Sequence, residues 1–384
     1  MNALILGDGP EEERWAAFLA DAPGHRLVAA CPGFKSRPDL PGGPDLDAAL
    51  ATAGVEMVVA GGDFPLRSEG LRRAAGAGLP VIVLHPPGEN ADPYYQVALS
   101  HEETGAVVVP DLPARRHPGV AAIRAAIDKN ELGEFRTLRY ELPAGRSAGD
   151  LVLDVFSRAV DVVRACLGEI ETLTAVGDPP GERPTLGLVV QLRAVGGRRA
   201  EVRIGRADED QAVLVLDGAG GSLRLEHEAS WLGPARLVRR TPREGETAAE
   251  IAPWDPHAAS LAALEEALAG HADSHPDLLD GTRAMELAEA AQRSLRKGRT
   301  IDLFYEEMSE LGNFKSVMTG LGCGLLLVVL LVVPVALAGP VFGFRWTIYL
   351  AWLIPPLLVL FLLVQLLRFG LSRPSRSASP GDRA

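Results

Sequence analysis

Two groups of residues have the types and spacing to do chemistry, one for holding a diphosphate and one for moving a proton. Gly7-Asp8-Gly9, with Pro10 after it, follows an apolar run and precedes a helical pattern. In that setting a glycine turn lets a diphosphate approach a helix N-terminus. Gly61 and Pro86, in breaks after later apolar runs, complete the candidate cofactor-binding set. The turn departs from the full dinucleotide pattern, because Glu12 stands at the third glycine position and Glu11, Glu12 and Glu13 bring negative charge to the diphosphate's place. The acid that would accept the ribose hydroxyls is also missing, the chain there reading Cys31-Pro32-Gly33. A βαβ turn that binds no nucleotide is as well supported as one that does.

His85 brings an imidazole, which changes charge near neutral pH, to the end of an apolar run. Its bland reading is a loop residue held by Pro86 and Pro87. Asp154, Arg158 and Asp161 are spaced by four and three, so on a helix they can share a face and pair as ions. Structural pairing is favoured over chemistry for that trio. His271 and His275 are also four apart, but Pro276 and the small polar residues around them place them in a loop, and no metal is assigned. Cys31, Cys166 and Cys323 are odd in number and widely separated, as reduced thiols are.

These residues need a frame. Short apolar runs alternate with helical patterns: strands over Ala3 to Leu6, Leu27 to Ala30, Glu56 to Ala60, Val81 to Leu84 and 106–109, and helices over Glu11 to Ala22, Leu46 to Ala53, Glu69 to Ala77 and Pro93 to Glu103. Such alternation implies right-handed crossovers and a doubly wound parallel sheet, here a Rossmann-like dinucleotide-binding domain over residues 1–114. The second domain, 115–304, is expected to be α+β. Helices over Val120 to Asn130 and Leu151 to Leu167 and a strand over Phe135 to Leu142 precede two-residue alternations over Leu186 to Arg193, Ala200 to Ile204, Ala212 to Leu216 and Ser222 to Glu226. That pattern fits an open, mostly antiparallel sheet with one covered face. A long helix, Leu278 to Lys297, and a short strand, Ile301 to Phe304, close it.

Several motifs, in this order and spacing, resemble the Gfo/Idh/MocA oxidoreductases, the glucose-fructose oxidoreductase and inositol dehydrogenase family. Gly78 to Pro86 resembles that family's strand ending in Glu-Lys-Pro. Arg115-Arg116-His117-Pro118 looks like the start of its second domain, Gly149 to Gly168 is similar to its glycine-led helix, and Asp280-Gly281 with the alanine-rich helix to Gly298 is similar to its closing helix. The resemblance implies NAD or NADP in the first domain, a sugar-like polyol on the second, and homo-oligomers through the exposed sheet. It also exposes departures: Leu84 stands for the Glu, His85 for the Lys and Arg158 for the catalytic His. Arg stays protonated and cannot serve as general base, so the family's proton relay looks dismantled. An impaired homologue that binds a nucleotide, a sugar-like ligand or a partner is the leading expectation. The alternatives are an active NAD(P)-dependent oxidoreductase using His85 and Asp154 with Arg158 orienting the substrate, and a structural interaction module.

The net charge of −12 over 384 residues excludes a nucleic-acid partner. Beyond an acidic linker at 305–315, two uncharged runs, Ser316 to Phe344 and Trp346 to Leu367, each exceed the roughly 20 residues that cross a bilayer. Transmembrane helices are expected over 316–338 and 346–367, with a disordered tail over 368–384. Lys315 before them and Arg368, Arg373, Arg376 and Arg383 after them place both termini and the soluble domains in the cytoplasm. Gly320 and Gly324 allow close approach of another helix, such as that of a membrane-protein partner.

Overall fold

A computed structural model describes residues 1–32, 45–144, 149–181, 186–205, 210–243, 245–271 and 275–303, together with Pro334. Met1–Phe304 forms one compact unit and Tyr305–Ala384 a second. Apart from Pro334, the expected linker, both expected spans and the tail lie outside the described residues. No helix among the described residues is long and apolar enough to cross a membrane.

The chain begins with β1 (Asn2–Leu6), α1 (Pro10–Asp21), β2 (Arg26–Cys31), α2 (Leu46–Leu50), β3 (Met57–Ala60), α3 (Phe64–Gly76), β4 (Val81–Leu84), α4 (Asp92–Thr104) and β5 (Val108–Asp111). The five strands form a parallel sheet in the order β2-β1-β3-β4-β5. Strands β3 and β4 are buried at every position, as expected of strands covered on both faces. Helix α2 stops at Leu50, short of the Ala53 expected from its pattern. The order reverses between β1 and β3, and at such a switch point the crossovers diverge and leave a crevice beyond the strands' C-terminal ends.

A 3-10 turn (Pro113–Arg116) leads to α5 (Pro118–Asp128) and β6 (Phe135–Pro143). The helix expected over Leu151 to Leu167 is divided into a π-helical turn at Leu151–Phe156 and α6 at Ser157–Leu167. Then come β7 (Ile170–Asp178), β8 (Gly187–Ala194), β9 (Arg199–Gly205), β10 (Gln211–Gly218), β11 (Gly221–Glu228), β12 (Ala235–Thr241), β13 (Gly245–Ile251), α7 (Pro256–Leu268), α8 (Leu278–Lys297) and β14 (Ile301–Asp302). They build a nine-stranded sheet, β13-β12-β11-β10-β6-β9-β8-β7-β14. All its pairings are antiparallel except β6 with β9.

Alternate residues of β8, β9 and β10 are buried, and α5, α6 and α8 cover that face. Helix α7 turns back to the first sheet, where Leu261 and Leu264 pack with Trp15 and Leu19 of α1 over Ile5, Val59 and Ile82. Helix α8, whose N-terminus carries a capping box between Asp277 and Asp280, bridges both sheets. Chain from late in the sequence thus fixes where the second sheet stands relative to the C-terminal edge of the first.

Candidate functional site

A cleft of about 640 Å3 lies along that edge. Its first wall carries Glu11, Trp15, Phe64, Arg67, Pro86 and Asp111, and its second Tyr140, Leu142, Asp154, Arg158, Asp210 and Trp231.

The glycine turn sits at the switch point. Gly7 has φ +101° and its N–H donates to the Cys31 carbonyl at 2.7 Å. A side chain there would collide with the Gly62 backbone, so the turns after β1 and β3 are in contact. Asp8 is exposed, Gly9 is the N-cap of α1, and Pro10 opens the helix, where a missing N–H costs nothing. Glu12 turns inward and is 3% exposed, an unusual place for a carboxylate without a partner. Its partner is the Gly62 N–H, which donates to Oε1 at 2.6 Å. A Cβ on Gly9 would lie 2.6 Å from Glu12 Oε2, and one on Gly61 would lie 2.7 Å from Glu12 Cγ. The room left by these glycines is therefore filled by Glu12. The residues present do not fit a dinucleotide's diphosphate.

The remaining groups of the first wall are also engaged. Arg67 donates to the Pro86 carbonyl at 2.6 Å and the Gly62 carbonyl at 2.8 Å, and Ser68 donates to the Pro87 carbonyl at 2.8 Å. Asp111 accepts from Ser260 at 2.5 Å and from the Trp15 indole at 3.4 Å. Burial raises its acid, opposed by the Ser260 hydrogen bond and the Arg158 charge.

His85 directly follows β4 but is wholly buried and is not part of the cleft lining. Its Nδ1 lies 3.1 Å from the Tyr94 hydroxyl, the two rings are near parallel, and Nε2 has no partner among the described residues. Burial, and then the charges of Arg158 and Arg67, hold its pKa well below 6.5. The imidazole is neutral at neutral pH and does not face the cleft.

Asp154, Arg158 and Asp161 do not pair with one another as their spacing suggested. The π-helical turn ends between Asp154 and Arg158, so ordinary helical spacing does not run through the trio. Asp154 Oδ2 accepts from the N–H groups of Gly149 at 3.0 Å and Asp150 at 2.9 Å. Arg158 reaches across the cleft to Glu11 in a two-pronged pair at 2.9 and 3.1 Å. Burial raises the Glu11 acid, but the Arg158 charge and hydrogen bonds outweigh it and hold it below the ordinary value. Asp161, 1% exposed, lies 3.2 Å from Arg115 Nε, and burial still pushes its acid up to about 6. Arg115 pairs with Asp161 and Asp280, and Arg116 pairs with Glu266.

Trp231, which the sequence reading missed, holds φ +63°, a left-handed conformation rare for a bulky residue. Its ring stacks on His227 with centroids 3.5 Å apart, and His117 packs at 4.8 Å. His227 Nδ1–H donates to the Glu228 carbonyl at 2.7 Å, which leaves Nε2 to accept from the Tyr140 hydroxyl at 3.3 Å. His117 Nδ1 accepts from the Gly119 N–H at 3.1 Å. Burial pushes both imidazoles down to about 4. The result is a neutral aromatic shelf presenting an indole to the cleft. No local signal marks Trp231, a single aromatic residue between Ser230 and Leu232 in a turn.

Among the described residues no three His, Cys, Asp or Glu side chains gather as metal ligands. Cys31 and Cys166 are buried free thiols, and Cys323 lies outside the described residues.

No protein-family model matches the chain, and no curated protein sequence matches it. Solved structures do. An oxidoreductase from Agrobacterium radiobacter, solved with NAD+, L-tartaric acid and magnesium, superposes with TM-score 0.66 at 18% identity, over 79% of this chain and 98% of that one. A putative myo-inositol dehydrogenase from Sinorhizobium meliloti gives 0.64 at 21% identity over 79% and 100%. An aldose-aldose oxidoreductase from Caulobacter crescentus, complexed with glycerol, gives 0.68 at 19% identity over 79% and 99%. At these identities the likeness concerns the fold, and the fold of this chain's first unit is that of the Gfo/Idh/MocA-type oxidoreductases.

Proposed function

We propose that this protein binds a sugar-like polyol in the interdomain cleft without passing hydride to or from it, and is held at a membrane by a C-terminal hairpin. The observation that carries this reading is Trp231, held in a strained backbone conformation flat against His227 and lining the cleft. A supported indole offers large, rigid contact area to the C–H face of a ring, while Ser230, Asp154 and Asp210 line the same cleft as polar partners for hydroxyls. The burial of His85 and the commitment of Arg158 to Glu11 leave neither poised to take a hydroxyl proton. An open cleft of about 640 Å3 favours ligand binding over a purely structural role.

The membrane part of the proposal rests on the two uncharged runs and the basic residues flanking them, which put the soluble unit and both termini on the cytoplasmic side. A second copy of the chain, through the open face of the nine-stranded sheet, or a membrane-protein partner, through Gly320 and Gly324, would receive the signal of an occupied cleft.

The rival reading is NAD(P)-dependent oxidation of a sugar or polyol with His85 and Asp154 as acid and base, favoured by a neighbour solved with NAD+. One experiment separates the two. Full-length protein in detergent is titrated with myo-inositol while tryptophan fluorescence is followed, and then assayed with NAD and NADP for reduced cofactor. Saturable quenching that Trp231→Ala abolishes, with no turnover, is expected. Turnover lost in His85→Ala establishes the rival, and no response to polyol in either assay sinks both.

A further inference from the structure

We infer that Glu12 is a built-in replacement for the diphosphate of a dinucleotide: the chain carries its own anion at the switch point of the parallel sheet and is thereby closed to NAD and NADP alike. Glycines in this kind of turn bring backbone close to a bound diphosphate. Here the closely approached group is Glu12. Side chains on Gly9 or Gly61 would run into its carboxylate or stem, so both glycines are explained by the folded chain itself. The donor that a ligand oxygen would use, the Gly62 N–H, is already given to Glu12 Oε1. The carboxylate lies in the first turn of α1, where partial positive charge favours an anion.

Admitting a diphosphate would require Glu12 to leave a site in which it is 3% exposed, strip the Gly62 N–H of its acceptor, and move past Glu11, itself clamped by Arg158. Two carboxylates on the first turn would then oppose the incoming charge. This assignment does not depend on the polyol reading. Trp231 and the second wall can bind or fail to bind a ligand without changing what occupies the switch point.

The test is titration of NADH and NADPH, followed by nicotinamide fluorescence, against the full-length protein in detergent and against Glu12→Gly and Glu11→Gln/Glu12→Gly variants whose folding is checked by circular dichroism. The wild type is expected to show no saturation up to millimolar cofactor. At least one of the two variants is expected to bind at least tenfold more tightly, with inorganic pyrophosphate competing. Should the glycine variants fail to fold, Glu12→Ala carries the same expectation. Micromolar binding by the wild type overturns the inference, and so does absence of any gain in folded variants. The polyol titration, repeated on Glu12→Gly alone, should be unchanged, since Glu12 does not line the cleft, which keeps failure here distinct from failure of the proposed function.

Discussion

The two walls of the cleft spend their polar groups differently. On the parallel-sheet side, Gly62, Pro86 and Pro87 offer backbone groups to the chain's own Glu12, Arg67 and Ser68. On the other side, Tyr140 and His227 are occupied in holding up Trp231, whose ring remains available to the cleft. A buried polar group with a partner adds stability and specifies one packing, but it has nothing left for a ligand. The first wall is thus read as scaffold and the second as receptor. Substitutions on the first should change folding, and substitutions under Trp231 should change binding.

The sharpest way to break this comparison is at the joint between the walls. Arg115 neutralises Asp161 from α6 and Asp280 from α8, and Arg164 lies 3.1 Å from Asp280. Arg115→Ala leaves a carboxylate that is 1% exposed with half its compensation, and breaking such a pair typically costs about 3–5 kcal/mol. A urea midpoint shifted by less than about 1 kcal/mol equivalent would show that the walls are held by packing alone.

Next in size is an acid effect on the second wall. His227 is 3% exposed with its pKa pushed down from 6.5 to about 4. The folded state therefore binds fewer protons than the unfolded state between those values. Its contribution is present in full above pH 6.5 and is lost as pH falls through about 4, worth about 3 kcal/mol at about 1.36 kcal/mol per unit. Asp161, raised to about 6, titrates with the opposite sign, its contribution being lost as pH rises from 3.8 through about 6. The imidazole term is accordingly read as a difference: His227→Gln should gain stability relative to wild type as pH is lowered from 7 to 4. Parallel profiles would remove His227 from the support of the shelf.

Glu12→Ala comes third. It leaves the Gly62 N–H without its acceptor and empties the space between Gly9 and Gly61, a loss of about 1–3 kcal/mol. Thermal unfolding measures it, and an unchanged melting temperature would mean that water takes the carboxylate's place at no cost.

How far these walls could be read from sequence follows from burial. Strands β3 and β4 were legible because they lie inside the sheet and are written as unbroken apolar runs between glycine and proline breaks. Strand β13, a sheet edge with Gly245 to Glu250 exposed, carries no alternation and was missed, as were β7 and β12. Helix α7 was missed because alanines blur its apolar face, although Asp255 and Pro256 form an N-cap and first-position pair that could have revealed it. At the site, the acidic cluster after Gly9 was visible as an obstacle to a diphosphate. That Glu12 turns inward while Glu11 reaches a helix 147 residues away is tertiary information that no local spacing contains.

The smallest expected effect tests a direct clamp between the walls' cleft-facing side chains. Arg158 and Glu11 meet in good two-pronged geometry, yet their side chains are 40% and 35% exposed, and pairs so open to water are worth about 1 kcal/mol or less. Arg158→Ala should therefore shift the melting temperature little. Freed from its partner, Glu11 loses the charge that holds its acid below the ordinary value, and a flexible anion remains at the cleft mouth. If Trp231 alone selects the ligand, polyol affinity in this variant stays within about threefold of wild type, well under the tenfold that 1.4 kcal/mol represents. A larger loss would show that Arg158 takes part in holding the ligand beside Trp231, and that the second wall does not act through its aromatic shelf alone.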